Sequence, residues 1–365
     1  MKRILIGAAG GSPSTNFVRS LRLLGEDIFL AGIDCDKYTL QRAETDVKLL
    51  APRANDPDYF RVLNDIIKEY EIEFLHFQND IEIEYISKYR EEVNAKLFLP
   101  SKKTVEICLD KLKSYEAWER AGILVPKTMI LNNEGDLRRA FQDFGPKLWL
   151  RDIKGAAGKG SFPTDNFEEA INWINFQKGW GHFTAAECLK ENTVTWSSIW
   201  HNGELIVAQG RKRMYWELAN RAPSGITGVT GTGITFSDPE FDKLAINTIM
   251  AIDDNPHGIF SVDMTYDKNG VPNPTEINIG RFFTTHFFFS KSGLNMPEIF
   301  VKLAYGEDCP KISKKLNPLP NGLAWIRGVD FEPVLTDIET IEKSVKELEG
   351  RRQELKDKQS GRNQI

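Results

Sequence analysis

A short, largely apolar run that stops on glycine and leads into a helix constrains this chain more than any other feature. Residues 3–9 form the run, and Gly10-Gly11-Ser12 ends it. Phe17, Val18, Leu21, Leu23 and Leu24 then recur at helical spacing, before a second apolar run, Ile28 to Ile33, stops at Asp34. Strand, turn, helix and strand in that order make a βαβ unit, which implies a parallel sheet. The alternation continues with a helix over 57–70, a strand over 74–77, a helix over 81–93 and a strand over 96–99, so residues 1–104 read as a small open α/β domain.

The rhythm then changes. A helix is expected over 105–121, ended by Gly122 before Pro126. Longer, hairpin-like strands follow at 147–151, 183–188, 194–200, 204–209, 258–266 and 273–278, with helices over 134–143, 167–177 and 239–252. Such a pattern predicts an α+β region with antiparallel sheets. A charged helix over 337–358, with Ile338, Ile341, Val345, Leu348 and Leu355 as its apolar positions, runs into a polar tail.

Bulk properties narrow the functional classes. With 365 residues there is room for two or three domains. The net charge of −5 argues against nucleic-acid binding, which wants a basic surface. No stretch reaches the roughly 18 apolar residues of a membrane span. The apolar start is too short for a signal peptide, and a cytoplasmic location is expected. Cys35, Cys108, Cys188 and Cys309 show no CxxC or Cys/His spacing, so buried free thiols are expected rather than zinc.

Three clusters carry chemistry. Asp263 lies on the alternating run Ile259–Tyr266, Asp267-Lys268-Asn269-Gly270 is a turn signal, and Glu276-Ile277-Asn278 lies on the return strand. In a hairpin Asp263 can face Glu276, and Glu276 and Asn278 share a side because strand side chains alternate. Three oxygen donors then converge, a set suited to magnesium that also holds nucleotide phosphates. A solvated hairpin face would explain the same residues more blandly. Second, Leu148-Trp149-Leu150-Arg151 runs into Asp152-Ile153-Lys154-Gly155-Ala156-Ala157-Gly158-Lys159-Gly160-Ser161, a strand ending in a cation before a glycine-rich loop whose N–H groups could meet phosphate. It is not a Walker A loop, since Gly160 follows Gly158-Lys159 where Ser or Thr is required. Third, Asp110-Lys111 stands at the domain junction.

In this order the features resemble the ATP-grasp superfamily over most of residues 1–310. The segment Ser261-Val262-Asp263…Thr275-Glu276-Ile277-Asn278 is similar to the metal-binding hairpin of its D-alanine ligase and carbamoyl phosphate synthase branches. The resemblance implies an ATP-grasp fold, mixed α/β and α+β: an N-terminal open parallel domain (1–104), a lid with the glycine-rich loop (105–190), a catalytic subdomain with the hairpin (191–335) and a charged helix and tail (336–365). It implies an ADP-producing ligase that makes an acyl phosphate from a carboxylate and joins it to an amine.

The carried-over roles follow residue by residue. Lys111 and Arg151 grip ATP phosphates, and Lys154, Gly155, Gly158 and Ser161 belong to the covering loop. Glu187-Cys188-Leu189 is the hinge along the adenine edge. Thr193 or Glu191 faces the ribose. Asp263, Glu276 and Asn278 hold one or two magnesium ions, for which manganese could substitute. Arg213, in Arg211-Lys212-Arg213, and Arg281 address the reacting carboxylate. The loop Ser224–Gly233 closes over substrate or is a plain surface turn. Partners are then a small carboxylate and a small amine, with no nucleic acid and no membrane, and the C-terminal helix could serve a homo-oligomer.

Two rivals stand. Gly7-Ala8-Ala9-Gly10-Gly11 with Asp34 mimics a dinucleotide fingerprint without its GxGxxG spacing, which suggests an NAD-dependent oxidoreductase. A catalytically silent ATP-binding protein is the other. His76, inside an apolar strand, reads as a satisfied core residue, and Phe287-Phe288-Phe289 as packing.

Overall fold

Five parallel strands open the chain in the computed structural model, which describes residues 1–155, 158, 160–190, 193–328 and 334–362. The elements run β1 (Lys2–Ile6), α1 (Ser12–Arg22), β2 (Ile28–Asp34), α2 (Lys37–Gln41), β3 (Val47–Leu50), α3 (Tyr59–Glu69), β4 (Phe74–His76), α4 (Asp80–Lys88) and β5 (Lys96–Leu97). The sheet order is β3-β2-β1-β4-β5, so the winding reverses between β1 and β4. The expected βαβ alternation is present. The short α2 and β3 had no sequence signal of their own, being too brief for a period to show.

The expected helix over 105–121 is two helices, α5 (Lys102–Cys108) and α6 (Lys111–Arg120). Asp110 breaks it: its backbone is extended, and its side chain accepts from the Lys113 N–H at 3.0 Å, capping α6. Lys111 thereby becomes the first residue of α6 instead of a mid-helix surface residue.

Next come β6 (Thr128–Leu131), α7 (Glu134–Phe144), β7 (Leu148–Asp152), β8 (Phe162–Thr164), α8 (Phe167–Phe176) and β9 (Phe183–Glu187). The four strands form an antiparallel sheet ordered β6-β9-β7-β8. Leu131, Leu137, Ala140, Leu148, Leu150, Ile174 and Phe183 bury its helix-covered face. A second antiparallel sheet is built from β10 (Thr193–His201), β11 (Glu204–Arg213), β12 (Thr232–Phe236), β13 (Gly258–Tyr266) and β14 (Pro272–Ile279), with α9 (Pro239–Met250) against it.

The chain closes with α10 (Phe287–Lys291), α11 (Met296–Tyr305), β15 (Ala324–Ile326) and α12 (Ile338–Arg362). β15 completes the second sheet, whose order is β14-β13-β10-β11-β12-β15.

Two structural units result, and they do not follow the four consecutive stretches expected from sequence. One comprises Met1–Lys102, Gly280–Lys311 and the C-terminal helix; the other comprises Lys103–Ile279 and Ile312–Gly328. Residues 280–311 join the first unit for a definite reason. Asn16 Nδ2 donates to the Thr284 carbonyl at 2.5 Å, and Ser290 Oγ donates to Ser20 Oγ at 2.9 Å. Phe282 and Phe300 pack with Phe17 and His76, and Phe288 and Phe289 are buried.

α12 lies over α2, β3 and α3 of its own unit. Lys37 pairs with Glu342, Arg351 with Asp65 and Glu69, and Arg352 with Asp56. Among the described residues no helix is long and apolar enough to cross a membrane.

Candidate active site

Strict alternation gives the second sheet one apolar and one polar face. Val194, Trp196, Val262, Met264, Ile277 and Ile279 are buried, and Trp196 Nε1 reaches Asp242 Oδ1 on α9 at 2.7 Å, so the apolar face meets α9. Their sequence neighbours therefore point the other way. Register then sets a polar row across four strands: Glu276 opposite Asp263, Asp263 opposite Thr195, and Thr195 opposite Arg211.

Asp263 is the hub of that row. Its Oδ1 accepts from Thr195 Oγ1 at 2.5 Å, and its Oδ2 accepts from Asn278 Nδ2 at 3.1 Å. The hairpin register shifts just beyond the Asp263–Glu276 pair, where Met264 meets Pro274, so Thr275 is an extra residue on β14. The bulge turns the Thr275 carbonyl toward Arg151, which donates to it through one terminal nitrogen at 3.1 Å.

Cations surround the hairpin. Arg151, the penultimate residue of β7, also donates to the Tyr115 hydroxyl at 2.7 Å; burial pushes that phenol's pKa up, with the guanidinium opposing the shift. Lys111 Nζ donates to the Gly155 carbonyl at 2.6 Å and lies 4.0 Å from Glu276 Oε2. One lysine thus touches both the glycine-rich loop and the acidic hairpin. Arg213 is nearly buried, with a terminal nitrogen 3.9 Å from Asp263 Oδ1. Its Nε donates to Thr230 Oγ1 at 3.0 Å and its other terminal nitrogen to Thr193 Oγ1 at 2.5 Å, and the guanidinium stacks 3.6 Å from the Trp216 ring centre. Burial lowers its pKa, opposed by Asp263 and then Glu276.

The glycine loop is described only in part. Lys154 donates its backbone N–H to Asp152 Oδ1 at 2.9 Å, and the Ser161 N–H donates to the Gly158 carbonyl at 3.1 Å. Gly158 has φ +68°, and a Cβ there would lie 2.5 Å from the Ile226 carbonyl, so only glycine fits. The glycine loop and the hydroxyl-rich segment Ser224–Gly233 therefore touch. Ala156, Ala157, Lys159 and the ribose candidate Glu191 lie outside the described residues. Thr193, the other ribose candidate, is engaged by Arg213.

Glu187 ends β9, and its carboxylate accepts from the Lys127 N–H at 3.1 Å. Cys188 and Leu189 follow, half-buried, on the segment joining the two sheets. That segment is fastened to β13: the Lys190 N–H donates to the Tyr266 carbonyl at 2.9 Å, and Thr265 Oγ1 donates to the Lys190 carbonyl at 2.6 Å. Lys111, Arg151, Lys154, Gly155, Gly158, Ser161, Glu187, Cys188, Leu189, Arg213, Asp263, Glu276 and Asn278 all belong to one structural unit. Arg281 belongs to the other, where Nε and a terminal nitrogen donate to the Asp80 carboxylate at 2.6 and 3.2 Å.

Sequence reasoning chose Arg213 but passed over Arg211, although two residues apart on one strand share a face. Arg211 is fully buried, donating to Thr195 Oγ1 at 2.7 Å and Thr230 Oγ1 at 3.2 Å. Burial first, then Arg213, bring its pKa down to about 9, so it stays a cation at neutral pH. Arg327 donates to the Thr230 carbonyl at 3.0 Å and had no local signal, since β15 brings it in from 97 residues away. Tyr115 stands one helical turn after Lys111 on α6.

The dinucleotide-like glycines have a packing explanation. A Cβ on Gly10 would lie 1.8 Å from the Thr39 carbonyl, and one on Gly7 would meet Phe77 and Glu82. Asp34, which would hold a ribose in that reading, accepts from the Gly10 N–H at 3.2 Å and the Asp36 N–H at 3.0 Å. His76 is buried as expected, but not satisfied: its Nε2 has no hydrogen-bond partner among the described residues, and burial lowers its pKa to about 3. The cysteines depart from expectation too, for Cys35 is exposed and only Cys108 is buried.

No protein-family profile and no curated protein sequence matches the chain. Solved structures do. The biotin carboxylase domain of Hydrogenobacter thermophilus 2-oxoglutarate carboxylase, in complex with MgADP, ADP and bicarbonate, is 18% identical with a TM-score of 0.69, covering 88% of this chain and 73% of that one. Staphylococcus aureus N5-carboxyaminoimidazole synthetase complexed with ADP is 15% identical with a TM-score of 0.65, over 85% and 78%. L-amino acid ligase from Bacillus licheniformis is 13% identical with a TM-score of 0.64, over 83% and 74%.

Proposed function

We propose that this chain, which has the ATP-grasp fold, is a ligase that uses ATP and magnesium to activate a small carboxylate and couple it to a small amine. One observation carries the reading: Asp263, Glu276 and Asn278 share one face of the β13–β14 hairpin, with Lys111 and Arg213 within 4.0 Å of its two carboxylates. The structural neighbours, whose names state ADP, MgADP and amino-acid ligation, support the same nucleotide and reaction type here.

The donor set fits magnesium. Two carboxylates and an amide are hard oxygen donors, and among the described residues no group of three or more His, Cys, Asp or Glu is gathered to make an all-protein cage. Asp263, Glu276 and Asn278 would hold the ion, which when bound neutralises phosphate charge at the site.

The residues then divide the work. Lys111 and Arg151 bind and orient the triphosphate, and the guanidinium of Arg151 suits a phosphate as a bidentate donor. The substrate carboxylate attacks the terminal phosphorus, the bond to the bridging oxygen breaks, and ADP leaves with that electron pair. Arg213, held on three sides, meets the carboxylate and the oxyanion that forms when the amine attacks the acyl carbon. Phosphate departs, the amine loses a proton, and an amide results. The loop through Gly158 excludes water, which would otherwise hydrolyse the acyl phosphate.

The test is ATP-dependent phosphate release across a panel of amino-acid pairs and of bicarbonate with amines, followed by mass spectrometry of the product. Release with one pair and a condensed product is expected. Thermal stabilisation by NAD in place of MgATP would favour an oxidoreductase, and MgATP binding without release under any condition would leave a silent nucleotide-binding protein.

A further inference from the structure

We infer that Thr230 is a positioning residue that sets the guanidinium of Arg213, and with it Arg211, for the reacting carboxylate; this rests on the ligase reading above. Thr230 is buried. Its hydroxyl oxygen accepts from Arg213 Nε at 3.0 Å and from an Arg211 terminal nitrogen at 3.2 Å. A hydroxyl has two acceptor lone pairs, and two guanidiniums occupy them. Its carbonyl accepts from Arg327 at 3.0 Å. Three cations from β11 and from beyond β15 therefore meet on one uncharged residue.

Like charges do not gather without an acceptor between them, and each of these arginines is costly to bury. The hydroxyl supplies that acceptor. It also decides which way Arg213 faces: Nε is taken by Thr230, one terminal nitrogen by Thr193, and one face of the plane by Trp216. The second terminal nitrogen is left directed toward Asp263 at 3.9 Å. A flexible side chain has become a group with one orientation, as stabilising a developing charge requires.

Backbone pairing holds Thr230 in place. Trp216 and Thr230 form an antiparallel bridge, flanked by the Glu217 N–H to Val229 carbonyl bond at 2.8 Å and the Gly231 N–H to Tyr215 carbonyl bond at 3.1 Å. Four residues earlier, Ile226 abuts Gly158. The segment that positions the arginines is thus also in contact with the glycine loop.

The experiment compares Thr230→Val, which keeps the shape and removes the acceptor, with Thr230→Ser, which restores it. With a substrate pair that supports phosphate release, Thr230→Val is expected to lower kcat by about ten- to a hundredfold, with KM for MgATP changed by less than about threefold. Thr230→Ser should recover most of kcat. The Arg213 Nε–H resonance, assigned by its loss in Arg213→Lys, should shift and broaden in Thr230→Val and return in Thr230→Ser. A Thr230→Val enzyme with unaltered kcat, an unmoved Nε–H signal, or a serine variant as slow as valine overturns the proposal. If the unmodified protein releases phosphate with no pair, the ligase reading fails and the positioning role goes with it; an active enzyme indifferent to Thr230→Val sinks the positioning role alone.

Discussion

Asn278 donates its amide nitrogen to Asp263 Oδ2 at 3.1 Å, so two of the three hairpin oxygen donors are joined across β13 and β14. Amide and carboxylate hold each other in place, and Glu276 completes the set from the position opposite Asp263. The consequences of that arrangement are measurable.

Asp263→Asn and Glu276→Gln should each reduce ATP-dependent phosphate release by at least about a hundredfold, because each removes an anionic ligand of the magnesium that would offset repulsion between carboxylate and phosphate. Neither side chain lies in the apolar core, so melting temperatures should stay near that of the parent. Phosphate release and thermal denaturation, measured on the same samples, check both halves.

Arg151→Ala should weaken MgATP binding about tenfold or more by calorimetry, since it removes a charge-assisted phosphate contact. The same change deletes donors to the Tyr115 hydroxyl and the Thr275 carbonyl, a stability loss of about 1–2 kcal/mol. Arg151→Lys should keep part of the affinity, and lose the bond to the bulge. An unchanged affinity in Arg151→Ala would remove this residue from the phosphate site.

Gly158→Ala should slow turnover without preventing folding. It forces a side chain into the left-handed region at φ +68° and against the Ile226 carbonyl, a strain of about 1–3 kcal/mol confined to the loop. Turnover falling while the melting temperature of the whole chain holds would place the cost in loop closure.

Glu82 predicts a pH dependence in the first unit. Burial, then Asp34, raise its carboxyl to about 8 from the usual 4.5, so it is protonated in the folded unit at neutral pH. The folded pKa lies above the unfolded one. Its stabilising contribution is therefore complete below about 4.5 and lost as pH rises toward about 8, because the folded state then holds the extra proton. Glu82→Gln should flatten the fall in melting temperature across that window. A parent profile that rises from pH 5 to pH 8, with the variant following it, would contradict the assignment.

Local pattern exposed much of this fold. The strand-turn-helix order of residues 3–34 announced the parallel sheet, and alternation at Asp263, Glu276 and Asn278 put three donors on one face before any coordinates. Legibility failed where elements are short or where a cap overrides periodicity. α2 and β3 are below the length at which a period shows, and Asp110 cuts what reads as one helix into two. Arg211 was missed because the strand expected from sequence stops at residue 209, whereas β11 runs on to Arg213.

The amino-acid sequence by itself determined which face each strand presents, because period-two alternation is a property of the backbone and needs no partner. Only the tertiary structure decided that Arg327 meets Arg211 and Arg213 on Thr230, that residues 280–311 complete the first unit, and that Arg281 pairs with Asp80. Those meetings depend on register and on strands distant in the chain, and no local window of sequence carries the long-range pairing that brings them about.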